Sequence, residues 1–223
     1  MSERSAPEPE PTDVRIATRF FAVSPALRPY ISTIYLTEVS VPAGSRVDDY
    51  LHPEWANLRF IEGELPLASL GGAPAVATPR FVATGPTSTA SYFAAGNMRV
   101  WGIGIVPMGW AKFIPLAADD LADRFCDAAA HPAFAAFVSL GETLRGVNDV
   151  DAAAAMIDAH FCALLGDAPP DDPAILAAHR ALVDHDLSTV ADLSAKLGLS
   201  ERSVERLSHR AFGFSPKLLL RRQ

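Results

Sequence analysis

Arg202, Glu205, Arg206 and His209 recur at i, i+3, i+4 and i+7, a spacing that sets four side chains on one face of a helix. Val204, Leu207 and Ala211 recur at i, i+3 and i+7 on the opposite side. The chemistry open to such a face is groove reading, because arginine pairs with guanine edges or phosphates and a carboxylate accepts from cytosine N4. Arg202, Glu205 and Arg206 are the candidate base-reading residues, and His209, Arg210 and Lys217 the candidate phosphate contacts. The competing reading is an ordinary solvated helix face, which suits a charged helix taken in isolation. Charge segregation argues against it. Residues 200–223 hold six basic and two acidic side chains, while residues 1–173 hold 11 basic and 21 acidic ones. A formal net charge of −7 over the 223 residues therefore does not exclude double-stranded DNA as a partner.

Two elements must position that face. Ser188 is a candidate N-cap for a first short helix carrying Val190, Ala191, Leu193 and Leu197, and Gly198 supplies its stop. Ser200 then caps the second helix, so the spacing predicts a helix-turn-helix. Ser215 and Pro216 make a further N-cap and first-turn pair.

The run VADLSAKLGLSERSVERLSHRAFGFSPKLLLRR resembles the first helix-turn-helix of AraC/XylS-type transcription regulators. The resemblance is carried by Ala191, Leu193, Leu197, Gly198 and Ser200, then Val204 and Arg206, then Gly213, Ser215 and Pro216. It departs at Ser208, where the family usually has an aromatic, and at Val204, where leucine is commoner; Phe212 or Phe214 is expected to fill the space that Ser208 leaves. The resemblance implies a DNA-binding unit with two such motifs joined by a long helix. This chain stops within the segment resembling that connector, with no Gly, Asn or Pro stop before Gln223, and a truncated DNA-binding part is the expectation.

Ahead of this motif the pattern predicts an α+β chain. Residues 1–13 form a polar, proline-rich disordered tail, and residues 14–166 a β-rich sensing or dimerisation domain with helices at its C-terminal end. Strands are expected at 30–39, 57–61, 65–70, 80–84, 89–93 and 99–106. Helices follow at 109–114, 117–125, 132–145 and 150–165, the last starting at Asp149 or Asp151. A linker with three prolines and three aspartates spans 167–173, and residues 174–223 form the helix-turn-helix domain, whose first helix is expected over 173–186. The domain before the linker is expected to fold alone.

The N-terminal region more weakly resembles the cupin-like β-barrel domain that precedes the DNA-binding part in one branch of this family. The cues are Tyr35, the segment His52-Pro53-Glu54-Trp55 leading into Asn57-Leu58-Arg59-Phe60, the Thr84-Gly85-Pro86 turn, and the strand from Trp101 to Val106 followed by Pro107. They imply a barrel that senses a small-molecule effector or pairs two chains into a homodimer.

Enzyme chemistry finds little support. Nucleophile-elbow, phosphate-loop and dinucleotide signatures are all missing from the sequence. His52 and Glu54, with Asp48 and Asp49 nearby, superficially suggest cupin metal ligands, yet residues 80–106 contain no histidine, so neither metal nor other cofactor is expected. Tyr35, Trp55, Phe60, Tyr92, Phe93 and Trp101 line a ligand cavity or form plain core. Cys126 and Cys162, in segments that read as helical, are expected to be buried free thiols, with a redox sensor as the alternative. No apolar run reaches the roughly 18 residues of a membrane span and no signal peptide is evident, so a cytoplasmic protein is expected. Two readings from other classes stay open: a protein-interaction module built on a single helix-turn-helix, and a cupin-fold enzyme with a helical tail.

Overall fold

Strands form where apolar side chains alternate with small or polar ones. The computed structural model describes residues 13–183 and 187–221, so the disordered tail expected at 1–13, save Asp13, and the last turn expected at 184–186 lie outside the described residues. Its strands are β1 (Arg15–Phe21), β2 (Ile31–Ser40), β3 (Val47–Leu51), β4 (Ala56–Gly63), β5 (Leu67–Ser69), β6 (Val76–Ala77), β7 (Phe81–Thr84), β8 (Ser91–Ala95), β9 (Met98–Ile105) and β10 (Phe125–Asp127). They pair antiparallel in a six-stranded sheet of order β1-β2-β9-β4-β7-β10 and a four-stranded sheet of order β3-β8-β5-β6.

The two-residue period assigns each face of the larger sheet a different task. Ile34, Leu36, Leu58, Phe60, Trp101 and Ile103 bury themselves against the helices. Tyr35, Thr37, Arg59, Ile61, Val82 and Val100 turn toward the smaller sheet. Among the described residues no backbone ladder joins the two sheets, which corrects the barrel expectation: the enclosure is open, with β1 at one edge of the larger sheet.

Four strands went unanticipated. β1 is exposed along nearly its whole length and mixes Arg, Thr and Phe, while β3 contains two adjacent aspartates, so neither shows an apolar alternation. Residues 117–125 are not a helix. A 3-10 turn at Ala118–Leu121 is followed by β10, which Thr84, Ala83 and Val82 of β7 hold in register. Cys126 consequently lies on a strand rather than a helix; both thiols are free and half-buried. Burial, and secondarily the neighbouring Asp127, push the Cys126 thiol up, away from the thiolate that redox sensing needs.

The helices are α1 (Pro107–Phe113), α2 (Val138–Leu144), α3 (Val150–Asp167), α4 (Pro173–Val183), α5 (Val190–Leu197), α6 (Glu201–Phe212) and α7 (Pro216–Arg221). The single helix expected over 132–145 divides. Pro132–Phe137 is 3-10, whose period of three brings the fully buried Phe134 and Phe137 to the same side before α2 begins. Asp149 caps α3 by accepting from the Asp151 and Ala152 amides at 3.0 and 3.1 Å.

One apolar cluster runs from the sheet through Trp110, Phe134 and Phe161 into Val204, Phe212 and Leu219. The Asp/Pro segment between α3 and α4 is pinned along this path. Lys112 Nζ donates to the Pro169 carbonyl at 2.6 Å and to Asp171 at 2.7 Å, and Tyr30 donates its hydroxyl to the same carboxylate at 2.9 Å. The Lys112 hydrogen bond holds the Asp171 carboxyl below its ordinary range.

Candidate nucleic-acid interface

Capping chemistry sets the entry and exit of each helix in this motif. Thr189, not Ser188, is the N-cap of α5: its Oγ1 accepts from the Asp192 amide at 3.1 Å while Asp192 accepts from the Thr189 amide at 3.2 Å. This reciprocal pair satisfies two otherwise open donors, which a cap at Ser188 would forgo. Gly198 ends α5 at φ +62, where a side chain would be strained. Ser200 then accepts from the Ser203 amide at 3.2 Å and opens α6.

The inner side of α6 is Val204, Leu207, Ser208, Ala211 and Phe212, all buried. Phe212 and Phe214 are both buried, as is Ser208 itself. Phe212 meets the Trp55 ring at 5.7 Å and the His179 ring at 6.4 Å. The Trp55 contact ties the helix to the β-rich part, and the His179 contact ties it to α4.

The outer side divides into two halves. Arg202, Glu205 and Arg206 are exposed near its N-terminal end, and neither arginine makes a hydrogen bond or ion pair among the described residues. Farther along, His209 lies between two carboxylates, with Nε2 3.2 Å from Glu205 and Nδ1 3.3 Å from Asp119. Arg210 pairs with Asp172 at 2.7 Å. Lys217 stands exposed on α7. In helices that enter a groove the N-terminal half meets base edges; in α6 that half carries the two arginines without partners among the described residues, while Glu205 is held by His209. Exposed pairs of the Arg210 kind are worth about 0–1 kcal/mol, little enough for a phosphate to displace.

Half-buried His179 stacks edge-on to Trp55 at 5.6 Å, and burial lowers its pKa below the ordinary value. Burial thus disfavours the charged imidazole in the fold, and the unfolded chain takes up the proton more readily. Its contribution is present above about pH 6.5 and is lost as pH falls below that value. We expect the urea midpoint of the wild type to drop between pH 7.5 and 5.5 by more than that of His179→Phe. Equal drops would contradict this role.

A second polar constellation lies between the sheets. Arg59 donates from Nη2 to Glu54 at 2.6 Å, from Nε to the Tyr35 hydroxyl at 3.1 Å and from Nη1 to Thr84 Oγ1 at 3.1 Å. Asn57 closes the ring by donating to Glu54 at 3.2 Å and accepting from Tyr35 at 3.4 Å. Tyr35 reaches Arg59 across Gly102, where a Cβ would lie 1.9 Å from the tyrosine Cζ. Burial opposes the Arg59 charge, but the Tyr35 oxygen and the Glu54 carboxylate outweigh it, and the guanidinium pKa is raised. Tyr35, Glu54, Arg59 and Thr84 border a cavity of about 160 Å³.

Glu54 was a candidate metal ligand in the sequence, yet it is engaged with Arg59, while His52, Asp48 and Asp49 are exposed. Among the described residues no three His, Cys, Asp or Glu side chains converge on a common point. Of the six aromatics, Tyr35, Tyr92 and Phe93 border the cavity; Trp55, Phe60 and Trp101 pack into or against the core below. Sequence reasoning missed the Arg59 network, His179 and the acidic partners Asp119 and Asp172. An arginine between Leu58 and Phe60 on a strand was the available signal, because a charge placed there requires a counter-charge.

No family profile matches the chain, and no curated relative matches it. Among solved structures it aligns with the AraC-like transcriptional activator CuxR at 15% identity and a TM-score of 0.33, over 93% of this chain and 84% of that one. A likeness at that level transfers neither fold nor function. Among the described residues, no helix is long and apolar enough to cross a membrane.

Proposed function

We propose that this chain is a sequence-specific DNA-binding transcription regulator of AraC type, acting in the cytoplasm. In this reading α6 enters the major groove, Arg206 and Arg202 pair with guanine edges, and Glu205 accepts from cytosine N4. Lys217 fixes the helix on the backbone, and His209 and Arg210 join it by exchanging their carboxylate partners for phosphates. The β-rich part senses a small-molecule effector or pairs two chains into a homodimer. One observation carries the reading: two arginines with no partner among the described residues stand exposed on the first half of a capped helix that follows a tight left-handed turn.

The test is a fluorescence-anisotropy salt titration of the chain on a mixed-sequence duplex. Binding weakens log-linearly with salt, and Lys217→Ala reduces the slope by about 0.9 while lowering affinity for all sequences alike. Failure to bind the duplex at low salt, or binding that is indifferent to salt, would overturn the proposal.

A further inference from the structure

We propose that the cavity between the two sheets takes an uncharged organic molecule of about one ring, with an apolar body and an oxygen that accepts hydrogen bonds. This names the ligand class for the sensing role suggested above and rests on that part of the reading. Size comes first. A dry apolar cavity of about 150 Å³ accommodates benzene, and this one measures about 160 Å³. Its walls are mostly aliphatic and aromatic, including Val39, Ile61, Val82, Phe93 and Phe125.

Polarity then narrows the class. Arg59 lines the cavity and carries five N–H donors, of which three bind Tyr35, Thr84 and Glu54. Two remain to donate to a ligand oxygen. Thr78 and Ser91 also stand on the cavity lining; their hydroxyl oxygens are buried and have no hydrogen-bond partner among the described residues, and Thr78 is only 5% exposed. Buried polar groups are ordinarily satisfied, so a turn of either side chain about χ1 toward the cavity would give its hydroxyl a ligand oxygen as partner.

Charge excludes the acids. Glu54 already compensates Arg59 at 2.6 Å, so a carboxylate ligand would bring an unpaired negative charge into a largely apolar space. Access is through the open side of the two-sheet arrangement, where cavity-lining Ile16 and Leu51 are 51% and 39% exposed.

Calorimetric titration of the full chain, without DNA, distinguishes the classes. Acetophenone and benzyl alcohol should bind at least tenfold more tightly than toluene, which lacks the oxygen, or benzoate, which adds the charge. The double variant Thr78→Val, Ser91→Ala should weaken acetophenone at least fivefold while raising the melting temperature of the free protein, because it removes two orphaned hydroxyls. Absence of saturable acetophenone and benzyl alcohol binding, an equal or better affinity for benzoate or toluene, or unchanged acetophenone affinity in the double variant would overturn the proposal. The DNA titration is a separate reading. A chain that binds DNA but not these probes loses only the ligand proposal, and one that binds the probes but not DNA loses only the regulator reading.

Discussion

Replacing Phe212 by alanine should destabilise the chain by about 3–5 kcal/mol, the usual cost of emptying a fully buried aromatic site. Phe212 is 0% exposed and sits where α4, α6 and the loop carrying Trp55 meet, against the rings of Trp55 and His179. Neighbouring backbone has little freedom to collapse into the space. Gly213 follows at φ +82, and a Cβ there would come within 3.0 Å of the Pro86 ring and 3.2 Å of the Ala118 carbonyl. The lost ring contact with Trp55 is also one of those that join α6 to the β-rich part. Phe212→Ala should therefore broaden the urea transition or split it in two, with amides of α5 and α6 exchanging before those of β2 and β9. A single transition with an unchanged midpoint would contradict the described packing.

Glu54→Ala should cost roughly 3 kcal/mol, the lower end of what breaking a buried ion pair does. The loss arises on Arg59, not on the glutamate. Its guanidinium is 15% exposed at the side chain and would keep only Tyr35 and Thr84 as acceptors. Asn57 loses a partner as well. Adding Arg59→Met to Glu54→Ala should restore much of the stability, because an apolar side chain of similar length leaves no stranded charge. Denaturation of the four members of this cycle measures it. A Glu54→Ala loss under about 0.5 kcal/mol, or a double variant less stable than Glu54→Ala, would show that the pair is not the counter-charge we describe.

The helix-turn-helix was legible because its signals are local. Ser200, Gly198 and the 3.6-residue repeat of α6 each act within a few positions of themselves, so chemistry and sequence order coincide. Even there the α5 cap moved by one residue, since Asp192 makes Thr189 the better partner. Long-range pairs left no such trace. Asp119 meets His209, and Asp172 meets Arg210, only because the 3-10 turn and the Asp/Pro segment fold against α6. β10 likewise owes its existence to β7 rather than to its three residues. The open two-sheet arrangement was read as a barrel because alternation reports which face is buried and carries no information on whether the outer strands meet.

In-vitro selection from a randomised duplex library, run with the wild type and with Arg206→Ala, probes most directly whether α6 reads bases. The wild type should enrich a defined site, and Arg206→Ala should lose discrimination at one position, most simply a guanine, at a cost of about 1–3 kcal/mol. Identical enriched sites with identical affinities for the two proteins would contradict base reading by this helix.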